Sequence, residues 1–196
     1  MKDYAIPEAT PYIIKARGNW RTIKAFVEKH TTDRKRAIEL LSTLSDKDLR
    51  DMPMYILDDN MSAPSNQLSP RVESELILKP FKNYFAKVFD KEAEAFRKNP
   101  SLLVTWIKEN IKMNPDIHAM RIPQTPISVW ESRVTDARSR DIFFVDVARS
   151  LGIEARIDPV TWKLQYKKGG NWVDVDFDSA TEQAVTYTHR TLPTIY

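Results

Sequence analysis

Two carboxylates lie two positions apart near the end of the sequence. Asp174 and Asp176 belong to the segment 172–177, in which apolar and polar residues alternate as in a β-strand. Residues at this spacing face the same side of a strand. Paired carboxylates suit acid–base catalysis or cation binding. A solvated strand face is the commoner explanation, and no third ligand is evident, so we expect neither a metal nor a cofactor.

Aromatic residues form a second group with binding chemistry. Trp130, Trp162, Tyr166 and Trp172 follow one another in the last third of the chain. Aromatic platforms bind sugars and peptides, whereas the alternative is that some of these rings belong to the core. Trp130 and Trp162 lie in a loop-like context that favours exposure. We therefore predict Trp130, Trp162 and Tyr166 as ligand-binding residues.

The periodicity of apolar residues predicts helices first and strands afterwards. The segment 136–151 is apolar nearly all round, which is typical of a buried central helix, and Gly152 suits the position after its end. Lys168 to Asn171 contain two glycines and predict a hairpin turn. Helices are predicted over 20–29, 34–44, 49–57 with an awkward Pro53, 70–89 with a division at Pro80, 91–98 and 101–111, strands over 154–158, 163–167 and 172–177, and irregular chain over 1–18 and 58–70.

Two segments then resemble the transglutaminase-like superfamily, which has a papain-like α+β fold. Arg149 to Arg156 read R-S-L-G-I-E-A-R, close to that family's element after its central helix, and 172–176 read W-V-D-V-D, close to its last catalytic strand. The helix carrying Trp106 matches the family's preceding helix. The resemblance covers roughly residues 100–177. It implies a buried central helix packed on a small antiparallel sheet.

In that family a Cys at the start of the central helix is the nucleophile, a His on the next strand is the base, and an Asp orients the His. Counting back from Gly152 places the nucleophile at Ala137, whose methyl group cannot attack a carbonyl. No His lies between Arg156 and Trp172, so only Asp176 remains of the triad. The resemblance therefore implies an inactive site with vestigial positions Ala137 and Asp176. The alternative is a peptidase, amidase or acyl-transferase that uses replacement residues.

Other polar residues near this helix start have structural explanations as well. Asp136 is placed to cap the helix, although it also counts as a candidate for binding a ligand in the old cleft. Ser139 lies roughly 200° around the helix from Ala137, so a capping role suits it better than a nucleophilic one. Arg133 and Arg138 have the charge to bind an anionic ligand, or else to pair with Asp136 and Asp141.

Composition excludes several classes of protein. The chain has 196 residues, no cysteine and a formal net charge of +3, so thiol catalysis, disulfides and an extended nucleic-acid surface are not expected. No apolar run is long enough to span a bilayer. The N-terminus has no signal-peptide core, yet a cell-envelope or secreted location is favoured over a cytoplasmic one because degenerate family members often belong to exported proteins.

These observations lead to one organisation and one function. We predict a helical N-terminal extension over 1–95, a transglutaminase-like α+β core over 96–178, and a tail over 179–196 that starts a further domain. The expected function is a non-catalytic binding or scaffolding module for a glycan or peptide, within a longer bacterial protein. A purely structural spacer is the third alternative.

Overall fold

The computed structural model describes residues 6–114, 116 and 122–177. It confirms the predicted α+β class, with a helical N-terminal region and a small antiparallel sheet near the end of the described chain. The predicted tail over 179–196 lies outside the described residues. Among those residues, no helix is long and apolar enough to cross a membrane.

Ten helices and five strands make up the described chain. The helices are α1 (Thr10–Ala16), α2 (Trp20–Lys29), α3 (Arg34–Ser42), α4 (Asp46–Asp51), α5 (Met54–Ser62), α6 (Lys82–Val88), α7 (Ala93–Lys98), α8 (Ser101–Asn110), α9 (Pro126–Ser132) and α10 (Ala137–Ser150). The strands are β1 (Lys112–Met113), β2 (Val134–Thr135), β3 (Ala155–Ile157), β4 (Leu164–Lys168) and β5 (Asn171–Asp174). Strands β1 and β2 pair in parallel, and β3, β4 and β5 form an antiparallel sheet in that order.

The first five helices share one hydrophobic core. Its residues extend from Ala9 to Leu68, and Phe26, Leu40 and Leu57 have no exposed surface. Helix α1 packs against α2 and α4, so the prediction of an irregular lead-in over 1–18 is wrong. Burial of Ala9 and Ala16 stabilises this helix, a tertiary effect that the local Pro and Gly signals do not include.

The second core extends from Phe81 to Phe177 and surrounds α10. All residues of α10 from Ile142 to Ser150 are buried, which confirms the predicted central helix. The helix packs against α6, α9 and β3, and the ring of Phe144 lies 6.4 Å from that of Tyr166 in the sheet. Gly152 follows at φ 80°, as predicted for a helix end.

The prediction of a long helix over 70–89 is wrong for the first half of that range. Only Lys82–Val88 is helical, and the chain from 63 to 81 is irregular. The Glu75 carboxylate accepts hydrogen bonds from the backbone N–H groups of Val72 and Glu73, which replaces helical pairing there. At Pro53 the outcome agrees with the sequence, since one helix ends at Asp51 and the next begins at Met54.

Candidate functional site

The start of α10 is where the resemblance to the transglutaminase-like superfamily predicts a vestigial nucleophile position. Asp136 caps the helix, because its Oδ1 accepts the backbone N–H of Ser139 at 2.7 Å. This confirms the capping role predicted for Asp136. Ala137 is the first helical residue and is exposed. The helix dipole therefore presents its positive end beside a methyl group that faces solvent.

Hydroxyl groups near Ala137 are already engaged. The Oγ of Ser139 accepts the backbone N–H of Gln124 at 3.0 Å, and this side chain has no exposed surface. The hydroxyl of Thr135, which is equally buried, donates to the carbonyl of Asp136. Neither group has a histidine partner: the one histidine in the described part of the chain is His30, which contacts Asp58 in the N-terminal core.

The carboxylates at the end of β5 are exposed. Asp174 accepts hydrogen bonds from Gln165 at 2.8 Å and from Lys163 at 2.6 Å, and these bonds lower the pKa of Asp174. Asp176 lies two residues further on and is also exposed. Over the described residues, no cluster of His, Asp or Glu side chains suits a metal ion. Because β5 ends at Asp174, Asp176 is not part of the strand, so the prediction that both carboxylates share one strand face is wrong.

Trp130 and Arg133 lie together, away from the carboxylates of α10. The Trp130 ring stacks on Trp106 with centroids 5.7 Å apart and an interplanar angle of 12°. The guanidinium carbon of Arg133 lies 3.7 Å from the Trp130 centroid. The prediction that Arg133 pairs with Asp136 or Asp141 is therefore wrong, and Arg138 does not pair with them either.

The arginines of α10 pair with other carboxylates than the sequence predicts. Arg138 contacts the Glu73 carboxylate and donates to the Ser74 hydroxyl at 2.9 Å. Arg140, rather than Arg138, forms an ion pair with Asp141, with its Nη2 atom 3.1 Å from Asp141 Oδ1. Glu73 is 65 residues distant in sequence from Arg138, so local spacing could not have identified this pair.

Trp162 and Tyr166 occupy opposite environments. Trp162 is 68% exposed in the loop between β3 and β4, at φ 58°. Asp158 orders this loop, because its Oδ1 accepts the N–H groups of Val160 and Thr161. Tyr166 is 8% exposed in the second core, and burial raises its pKa. The predicted ligand-binding residues therefore do not line one common groove.

Two open clefts flank the irregular segment from Leu76 to Lys79, and both Leu76 and Leu78 line each of them. One of them lies between this segment and the start of α9 and has a volume of about 430 Å³; we name it the apolar cleft. Ala137 is not one of its lining residues, but Gln124 at its wall bonds Ser139 in the first turn of α10. The apolar cleft is lined by Leu76, Leu78, Lys79, Ile122, Pro123, Gln124, Thr125, Ile127, Ser128 and Glu131.

A buried group of charges lies between α6, α10 and the segment 63–81, and sequence analysis missed it. Lys82 has no exposed surface, and its Nζ donates to the carbonyl of Gln67 at 2.7 Å. Burial, assisted by the Arg149 guanidinium, lowers the pKa of Lys82 to about 7. Burial, assisted by the Glu75 carboxylate, raises the pKa of Asp146 well above its usual value. The signal was visible, since Asp146 interrupts an otherwise apolar helix face.

The comparisons with known proteins add no family to this geometry. No protein-family model, no curated protein and no solved structure matches the chain. The described structure thus supports the α+β class, and function rests on the residues themselves.

Proposed function

We propose that this chain is a non-catalytic transglutaminase-like domain that binds an extended peptide in the apolar cleft. The observation that carries the proposal is the open, aliphatic cleft beside the first turn of α10. Leu78 is 61% exposed, Ile122 50% and Leu76 44%, which is unusual for large aliphatic side chains that lie side by side.

The position of Ala137 supports the non-catalytic part of the proposal. It is the first residue of the buried helix, where the resemblance places a nucleophile, and it carries no reactive atom. Acyl transfer requires a nucleophile and a base within hydrogen-bond reach. The nearby hydroxyls of Ser139 and Thr135 are buried and bonded to backbone groups, which makes them poor replacements.

The backbone of the cleft wall supports a peptide as the ligand. No backbone N–H or C=O group of the residues from Leu76 to Lys79 makes a hydrogen bond with another described residue. Unpaired backbone groups are what strand addition uses to bind a peptide, with side-chain pockets adding selectivity. A glycan is less well matched, because the predicted aromatic platform is divided between a buried Tyr166 and an exposed Trp162, neither of which lines the cleft.

A binding screen against immobilised peptides and glycans tests the proposal. We expect extended apolar peptides to bind, and Leu78→Glu to weaken them at least about tenfold because it places a charge in the cleft. Leu102→Glu on α8 is the matched control, since Leu102 is also an exposed leucine and does not line the cleft. Trp162→Ala should leave peptide binding unchanged.

Two results would replace the proposal. Glycan binding that is abolished by Trp162→Ala would place the binding site at the loop between β3 and β4. Hydrolysis or acyl transfer by purified protein would favour the enzyme alternative with replacement residues. The wider setting that we propose is a longer bacterial cell-envelope protein, in which this domain recognises or positions a partner.

A further inference from the structure

A second surface shares no residue with the apolar cleft. It consists of Trp106, Trp130, Arg133 and Tyr84, which we name the Trp–Arg surface. The two indoles are stacked and half-buried, and Tyr84 is 43% exposed with its ring edge-on to Trp130. Tryptophan, tyrosine and arginine are the residue types that most often dominate binding energy in protein interfaces.

Arg133 has unused binding capacity on this surface. Its guanidinium carbon lies 3.7 Å from the Trp130 centroid and 5.4 Å from that of Trp106, so both indoles hold the charged group in place by cation–π contact. None of the guanidinium N–H donors of Arg133 bonds to an acceptor among the described residues, although the residue is half-buried. Arg138 and Arg140 nearby are both paired with carboxylates, which distinguishes Arg133 from them.

The backbone at Arg133 indicates that a side chain is retained there against local preference. Arg133 follows the last residue of α9 at φ 57°, ψ 19°, the left-handed conformation in which glycine is most common. A non-glycine residue there costs roughly 1 kcal/mol. Its backbone is held by two hydrogen bonds, since its N–H donates to Val129 and its C=O accepts the N–H of Lys112.

We propose that the Trp–Arg surface binds an acidic peptide segment of a partner protein. A carboxylate of that segment pairs with the free edge of the Arg133 guanidinium, and apolar side chains of the segment pack on Tyr84 and the indoles. The exposed Lys112, adjacent through its backbone bond to Arg133, adds positive charge that matches an acidic partner. This site is separate from the apolar cleft, so neither proposal depends on the other.

Fluorescence anisotropy with a labelled peptide of alternating glutamate and leucine, at low salt, tests this site. We expect binding that weakens at least about tenfold when glutamine replaces glutamate in the peptide, and equally in the Arg133→Gln protein. Arg21→Gln is the matched control, because Arg21 also stacks on a tryptophan, at 5.3 Å, in the N-terminal helices. Arg133→Gly relieves the backbone strain, so its thermal stability should hold while binding is lost.

Four results would overturn the proposal. Equal affinity of the glutamate and glutamine peptides would show that the carboxylate has no role in binding. Unchanged affinity of Arg133→Gln would show the same for Arg133. Sulfate or acetate that displaces the peptide equally from wild type and Arg133→Gln would show a nonspecific anion effect only. Vesicles of anionic lipid that bind through Arg133 while the peptide does not would assign the surface to a membrane.

Discussion

The guanidinium carbon of Arg140 lies 3.8 Å from the centroid of the Phe177 ring. This contact joins the first turn of α10 to the residue that directly follows Asp176. It therefore holds the turn that contains Ala137 next to the end of the last described strand, which are the two places where the sequence predicts vestiges of a catalytic site. The relationship is one of position only, since no histidine lies between residues 137 and 176 in the sequence.

Replacing Ala137 with cysteine tests the electrostatics of this helix start. We expect the thiol of Ala137→Cys to have a lowered pKa, because the N-terminus of a long helix stabilises a thiolate. Alkylation by iodoacetamide at neutral pH should be a few times faster than for Asn110→Cys, which lies exposed at the end of α8. Equal rates would mean that the dipole is cancelled, and no ester or amide hydrolysis is expected from either variant.

Asp59 should be one of the most sensitive residues for stability. Its buried carboxylate accepts the backbone N–H groups of Phe81, Lys82 and Asn83 at 2.9–3.1 Å, which caps α6 from α5. Asp59→Ala leaves these donors unsatisfied and should lower the free energy of unfolding by about 3 kcal/mol. Urea denaturation measures this change, with the exposed Asp90→Ala as a control that we expect to have little effect.

The lowered pKa of Lys82 predicts that the free energy of unfolding rises with pH above neutrality. Its pKa in the folded protein is about 7 against an ordinary value of 10.5, so the unfolded chain binds more protons between these values. The free energy of unfolding should therefore increase with pH through this window, by at most about 1.4 kcal/mol per unit. The groups that face Lys82 are Arg149, Asp146, Asp59 and Arg36.

Lys82→Met should remove this slope, and the exposed Lys87→Met should keep it. Asp146 contributes with the opposite sign, because its raised pKa makes the folded protein bind more protons above pH 3.8, and this stabilisation is lost as pH rises through the folded pKa. Asp146→Asn separates that part. Parallel slopes for wild type and Lys82→Met in urea denaturation at several pH values would contradict the assignment to Lys82.

Gly152 is required by its backbone conformation. Its φ of 80° ends α10, and a Cβ there would meet the carbonyl oxygen of Pro64 only at ordinary contact distance, 3.5 Å. The expected loss for Gly152→Ala is thus the backbone strain alone, about 1 kcal/mol. Gly18→Ala is the control, since Gly18 has open space and no positive φ. Thermal unfolding of both variants checks the difference.

Sequence reasoning succeeded where the signal was local. The buried helix α10, the cap at Asp136, the helix end at Gly152 and the turn between β4 and β5 follow from periodicity and from residues with strong backbone preferences. These features depend on neighbours within a few positions. The α+β class followed from their order along the chain.

Contacts between distant segments decided the rest. Asp59 of α5 accepts the backbone N–H groups at the start of α6, Glu73 pairs with Arg138, and Trp106 stacks against Trp130, on which Arg133 lies. The partners in the last two pairs are far apart in sequence, so no window along the chain contains both. By itself the sequence determined the central helix, the antiparallel strands near the end of the described chain, and the absence of a nucleophilic side chain at residue 137. Only the tertiary structure decided which charges are buried, which clefts are open and which arginine is free to bind, because burial depends on what the whole chain packs around each residue.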